Sequence, residues 1–139
     1  MSNLDKLIKL SSKGKKLTCI TAYDASFAKY LDNSCIDIIL VGDSLGQVIK
    51  GDSSTHHVTL DEIIYHSKCV KSGLNKSILM VDLPKKTYSN KLDAYKNISK
   101  VINACHADIV KLEINDKNIN IVEYCLLYTS DAADDVRGV

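Results

Sequence analysis

Three short apolar runs in this chain each end on charge. Residues 36–41 lead into Gly42, Asp43 and Ser44; residues 77–81 lead into Asp82, Leu83 and Pro84; residues 108–112, which carry Lys111, lead into Glu113. If the runs are parallel strands, their C-terminal ends share one edge of a sheet, and Asp43, Asp82, Lys111 and Glu113 converge there. Three carboxylates side by side repel one another unless a cation sits between them. An all-oxygen donor set selects a hard ion, for which Mg²⁺ is the natural candidate. With open positions, such an ion chelates an α-keto acid through carboxylate and carbonyl and acts on the carbonyl as a Lewis acid. A single acidic residue after a strand is more often a loop residue or a helix cap; recurrence at equivalent strand ends is what singles these out. Lys111 alternates with Val110 and Leu112, so it points either to the inner side of the sheet or outward as a snorkelling lysine.

The elements that must hold these residues follow from periodicity. Leu4, Leu7 and Ile8 sit at helical spacing, and the Lys13–Lys16 stretch ends that helix. Residues 17–21 read as a strand by length and β-branching. Asp24 caps a helix over 25–33 with Phe27, Tyr30 and Leu31 as its expected inner face. A polar loop follows the second strand to Val58. Thr59 and Glu62, three apart, form a capping box for a helix to about Lys71, which Gly73 stops. A helix over about 90–104 carries Leu92, Tyr95, Ile98 and Ile102 on one stripe, and residues 118–124 start another. Strand then helix, four times over, predicts a parallel sheet covered by helices. The expected fold is α/β, an incomplete (β/α)8 TIM barrel holding the first four βα units of an architecture of typically ~250 residues.

Composition narrows the function classes. The chain of 139 residues is 45% hydrophobic and 25% charged, with a net charge of +1. It lacks the apolar block of a secretory signal and the ~18-residue apolar run of a membrane span. No basic face argues for nucleic acid. Cys19, Cys35, Cys69, Cys105 and Cys125 are widely spaced, which argues against a disulfide framework or a zinc knuckle and predicts small buried thiols in a reducing cytoplasm. The basic residues are all lysine except Arg137.

A second chemistry competes for the same segment. Gly42-Asp43-Ser44-Leu45-Gly46 fits the G-x-S-x-G nucleophile elbow and the Gly-Asp-Ser-Leu esterase signature. A serine hydrolase needs Asp and His partners downstream. The four histidines, His56, His57, His66 and His106, include none in the Asp-x-x-His pair of that esterase family, so five permissive residues stand alone.

Several longer motifs occur in order: Thr21-Ala22-Tyr23-Asp24, Phe27-Ala28, Leu40-Val41-Gly42-Asp43-Ser44-Leu45-Gly46, Val58-Thr59-Leu60, Tyr65-His66, Asp82-Leu83-Pro84 and Val110-Lys111-Leu112-Glu113. Together, over roughly residues 17–122, the chain resembles the ketopantoate hydroxymethyltransferase (3-methyl-2-oxobutanoate hydroxymethyltransferase) family. The resemblance implies a barrel of the phosphoenolpyruvate mutase/isocitrate lyase type. It implies Mg²⁺, and 5,10-methylenetetrahydrofolate as one-carbon donor to a 2-oxo acid, in a cytoplasmic homo-oligomer of pantothenate biosynthesis. Asp43 and Asp82 match the family's direct metal carboxylates and Glu113 its third acidic metal-site residue. Asp43, Ser44, Asp82 and Lys111 match its keto-acid contacts. The family's general base is a glutamate on a later strand, so no catalytic base is assigned within these residues.

The chain departs from the family at His56-His57, where Leu-Pro is usual, at Lys85, where an aromatic is usual, and at Ile114-Asn115, where paired glycines are usual. His56-His57 is read as an exposed loop pair. Loss of the glycines is expected to crowd the substrate mouth. Residues 125–139 read as one translated frame of a sequencing-library adapter, which leaves residues 1–124 as the N-terminal half of a barrel. Such a half is expected to lack transferase activity by itself. The alternatives are another Mg²⁺-dependent oxo-acid enzyme of the same barrel group, or a non-catalytic remnant.

Overall fold

A computed structural model describes residues 1–136 and side-chain surroundings through Leu127; Arg137 and the side chains from Tyr128 onward, most of the expected foreign tail, lie outside the described residues. The elements run α1 (Asn3–Ser12), β1 (Cys19–Thr21), α2 (Ala25–Asn33), β2 (Ile38–Val41), α3 (Leu45–Val48), α4 (Leu60–Ser72), β3 (Ile78–Asp82), α5 (Lys91–Cys105), β4 (Ile109–Lys111) and α6 (Ile119–Val136). The sheet has the order β1-β2-β3-β4, each neighbouring pair parallel. Every new strand is laid beside the last with no reversal of direction across the sheet. That is barrel winding; a doubly wound sheet reverses at a switch point.

Alternation along the strands separates two apolar layers. Ile39, Val41, Leu79 and Val81 pack with Ala28, Ile63, Val70, Ala94, Ile98 and Val101 of the covering helices. Ile38 and Ile78 point the other way and pack with Leu7 of α1, flanked by Leu4, Leu17, Met80 and Ile109. Ile38, Ile78 and Ile109 are the first residues of their strands, so α1 covers the concave face at its N-terminal end. The charged residues stand at the opposite, C-terminal edge.

Three expectations are corrected. On α2, Phe27 and Tyr30 are 65% and 71% exposed, while Ala28 and Asp32 are buried. The reason lies in Gly73, the C-cap of α4: a Cβ there would come within 2.5 Å of the Ala25 carbonyl oxygen and 3.1 Å of Ala28 Cβ. The two helices approach through small residues, and the large ones are turned out. On α5 the buried stripe is Ala94, Ile98, Val101 and Cys105, and Leu92 is exposed. Of the cysteines only Cys105 and Cys125 are buried; Cys19 lies on the edge strand β1 and Cys35 in a left-handed turn with φ 61°, and both are exposed. Capping behaves as expected: Thr59 and Glu62 exchange hydrogen bonds at the start of α4.

Among the described residues, Asp32 is the one buried carboxylate outside the strand ends. Its Oδ1 accepts the backbone N–H of Lys76 at 2.9 Å and of Ser77 at 2.7 Å, tying α2 to the start of β3. Burial alone pushes its carboxyl up, but the backbone N–H donors and the Ser77 side chain outweigh that and hold it below its ordinary value. A lowered folded pKa means stability that is present above the ordinary carboxylate range and is lost as pH falls through the folded value. Asp32→Ala is expected to cost about 2–3 kcal/mol, because it strands the buried Ser77 N–H and the partly buried Lys76 N–H. Urea unfolding at neutral pH measures this cost, and the same variant should show a flatter acid limb of stability against pH.

Candidate active site

The register fixes which charged residues meet. Asp82, the last residue of β3, is the direct partner of Lys111, the last residue of β4. Asp82 follows Ile78 and Met80 on the concave face, and Lys111 follows Ile109 on the same face. Of the two directions open to Lys111, the structure takes the inner one. Its Nζ donates to Asp82 Oδ2 at 2.9 Å and to Glu113 Oε1 at 3.4 Å.

One step past β2, Gly42 lies beside Asp82. A Cβ at position 42 would stand 3.3 Å from Asp82 Cβ and 3.4 Å from its Oδ2, so the absence of a side chain there makes room for the carboxylate. Asp43 follows immediately and is near enough to repel it.

Asp82 is buried, and among the described residues its Oδ1 accepts no hydrogen bond. Burial pushes its carboxyl up; Lys111 draws it back down, and the charges of Glu113 and Asp43 add to the upward shift. Lys111 loses some basicity to burial, but Asp82 and Glu113 outweigh it and hold the ammonium above its ordinary value. The result is a cation held by two acids, with a third beside Asp82 and one desolvated Asp82 oxygen left unmatched among the described residues. Unmatched buried oxygens of this kind ask for a ligand, an ion or a water.

The structure thus brings Asp43, Asp82, Lys111 and Glu113 to one edge, with Ser44 on the adjoining turn. Among the described residues no three His, Cys, Asp or Glu side chains are grouped closely enough to enclose a metal ion. Lys111, bonded to both Asp82 and Glu113, stands between two of the three acids. Ser44 Oγ lies 2.6 Å from the Tyr23 hydroxyl, and His66 Nδ1 lies 2.7 Å from the Tyr23 carbonyl oxygen. No histidine is bonded to Ser44 among the described residues, so the elbow motif lacks its base.

Two tyrosines were not anticipated as part of this edge. Tyr23 follows β1, and Tyr88 lies in the β3–α5 connection with its hydroxyl donating to the Glu113 carbonyl at 3.2 Å. Burial pushes the Tyr88 phenol up, as suits a group that serves as a fixed donor. Spacing gives no sign of Tyr88; Tyr23 was visible only as the centre of a motif at a strand end. Lys85, Ile114 and Asn115 line a cleft of about 330 Å³ beside Glu113. His56 and His57 are exposed, as expected.

The chain is similar to known proteins in sequence and in fold. The sequence profile described as ketopantoate hydroxymethyltransferase matches residues 2–128. The chain is 45% identical over 107 residues to the 3-methyl-2-oxobutanoate hydroxymethyltransferase of Shewanella loihica, covering 77% of this chain and 40% of the relative. It is 50% identical over 103 residues to the protein of the same name from Clostridium botulinum, covering 73% and 38%. The chain therefore spans about 40% of the length of the curated relatives it matches. Among solved structures, 2,3-dimethylmalate lyase, a PEP mutase/isocitrate lyase superfamily member, superposes with a TM-score of 0.74 at 9% identity over 96% of this chain and 50% of that one. That likeness establishes the fold alone: four βα units laid out as part of a (β/α)8 barrel.

Proposed function

The chain belongs to the ketopantoate hydroxymethyltransferase family, and we propose that the edge carrying Asp43, Ser44, Asp82, Lys111 and Glu113 is the keto-acid end of that family's active site. The activity is transfer of a one-carbon unit from 5,10-methylenetetrahydrofolate to 3-methyl-2-oxobutanoate, with water supplying the hydroxyl oxygen, to give 2-dehydropantoate. The observation that carries this reading is the buried Asp82 carboxylate: one oxygen is held by Lys111, the other is unmatched, and Asp43 stands alongside.

The donor set fits Mg²⁺. A magnesium ion commonly takes one or two carboxylates and keeps several waters. Asp43 and Asp82 are the two that would hold it, and Glu113, already bonded to Lys111, would support the site from outside. When bound, the ion polarises the keto group and acidifies the C3–H next to it.

The chain's own residues then have distinct tasks. Asp82 holds the Lys111 ammonium at a set place on the concave edge. Lys111 offsets negative charge on the keto-acid carboxylate and on the enolate that forms once C3 is deprotonated, and a fixed cation needs no reorganisation to do so. Ser44 contributes a hydroxyl to the acid. The proton acceptor is the glutamate that the resemblance places on a later strand. A cytoplasmic homo-oligomer is part of the same proposal. Among the described residues, no helix is long and apolar enough to cross a membrane.

The test is product formation by a chain of family length carrying this segment, given 3-methyl-2-oxobutanoate, Mg²⁺ and the folate donor. Folate-dependent 2-dehydropantoate, lost on chelation of the metal, is the expected result. Metal-dependent turnover of the keto acid that ignores the folate would favour a different oxo-acid enzyme of the barrel group. Failure to bind the keto acid at all would favour a non-catalytic remnant.

A further inference from the structure

We infer that Tyr23 is a positioning residue for the keto acid, acting through Ser44: its phenol donates to Ser44 Oγ and so leaves the serine's own proton for a carboxylate oxygen of the ligand. The inference rests on the transferase reading above and extends it to a residue outside the metal and substrate set.

Ser44 immediately precedes α3 and is the residue whose hydroxyl would ordinarily cap it, yet it makes no side-chain cap bond. Its Oγ is turned instead to the Tyr23 hydroxyl, its sole side-chain partner among the described residues. The tyrosine is itself held at both ends of its backbone environment. Ala22 N–H donates to the Leu40 carbonyl at 3.2 Å, continuing the β1–β2 ladder. Asp24 caps α2 by accepting the Phe27 N–H at 2.8 Å. Between them, the Tyr23 carbonyl meets His66 of α4. Tyr23 as a whole is 9% exposed. The phenol oxygen is therefore placed by the scaffold and does not have to be ordered by the ligand.

The direction of the bond follows from what each hydroxyl can do. A serine hydroxyl has one proton and two acceptor lone pairs. A phenol is the stronger acid of the two, so it is the better donor across a short contact. With Tyr23 donating, Ser44 accepts on one side and donates on the other, and hydrogen bonds in such a chain strengthen one another. The acceptor that suits the outer end is an anionic oxygen, which gives a stronger bond than a neutral one.

The test compares Tyr23→Phe, Ser44→Ala and the double variant with the parent, in a chain of family length. Tyr23→Phe is expected to raise KM for 3-methyl-2-oxobutanoate roughly tenfold, the effect of one well-placed hydrogen bond, and to leave kcat within about threefold. In the Ser44→Ala background the same change should move KM by less than about twofold, because the hydroxyl it serves is gone. An equal effect with and without Ser44, or none in the parent, overturns the inference while leaving the transferase reading intact. If Ser44→Ala itself leaves KM unchanged, the inference falls and Ser44 is not a keto-acid contact; the transferase reading falls only if folate-dependent product is absent. Melting temperatures of the single variants check that the tyrosine's effect is not a folding defect.

Discussion

Asp82→Asn is expected to remove at least about three orders of magnitude from kcat/KM and to abolish saturable Mg²⁺ binding, while the melting temperature holds or rises. The activity estimate starts from the ~10²–10³ lost when one preorganised electrostatic contact is deleted; Asp82 is asked to hold both the ion and Lys111. The stability half has the opposite sign for a physical reason. Burial and the neighbouring acids Glu113 and Asp43 disfavour the ionised carboxyl, and Lys111 offsets only part of this. A neutral isostere escapes that cost, while Lys111 keeps Glu113 and solvent. Function and stability are thus opposed at this position, which is a mark of a site and not of a structural ion pair. A kinetic assay, a Mg²⁺ titration and a thermal melt on one variant measure all three. Unchanged metal binding, or a melt lowered as far as Asp32→Ala is expected to lower it, would assign Asp82 a structural role.

Much of this edge is legible in the sequence. A parallel strand covered by helices on one side ends where its apolar run ends, so the charged residues that follow mark the sheet edge. Asp43, Asp82 and Glu113 were found that way, and so was their convergence. The fold followed from the repetition of strand and helix, and the family profile and the superposition agree with it.

What sequence reading could not supply is partnership across strands. The register that sets Asp82 opposite Lys111 is fixed by packing between strands 29 residues apart. The Tyr23–Ser44 bond spans 21 residues and depends on a short helix, α3, whose four residues are too few to show a period. On α2 the structure departs from the pattern because hydrophobic periodicity ranks large side chains first. Here Gly73 and Ala28 let two helices come close, and close approach buries the small residues.

Lys111→Met should separate the two tasks assigned to this edge. Methionine keeps much of the length and apolar stem of the lysine and deletes its charge. The Lys111 side chain is 39% exposed, so its electrostatic effect on the apo protein is screened by water and should be modest in stability terms. Its effect on ligands is different in kind. With the ammonium gone, Asp82 Oδ2 and Glu113 Oε1 lose a competing cation, and Mg²⁺ alone is expected to bind several-fold more tightly, since opposite charge raises and like charge lowers affinity at such distances. The keto acid gains nothing from this, because it brings a carboxylate and develops further negative charge as C3 loses its proton. Its binding should weaken, and kcat/KM should fall by roughly 10²-fold or more, the scale of one lost preorganised donor. Tighter metal binding with poorer turnover is a combination that neither misfolding nor loss of a metal ligand produces. If Lys111→Met weakens Mg²⁺ and keto acid together, the lysine serves to hold the acids in place, and its charge is not what the reaction uses.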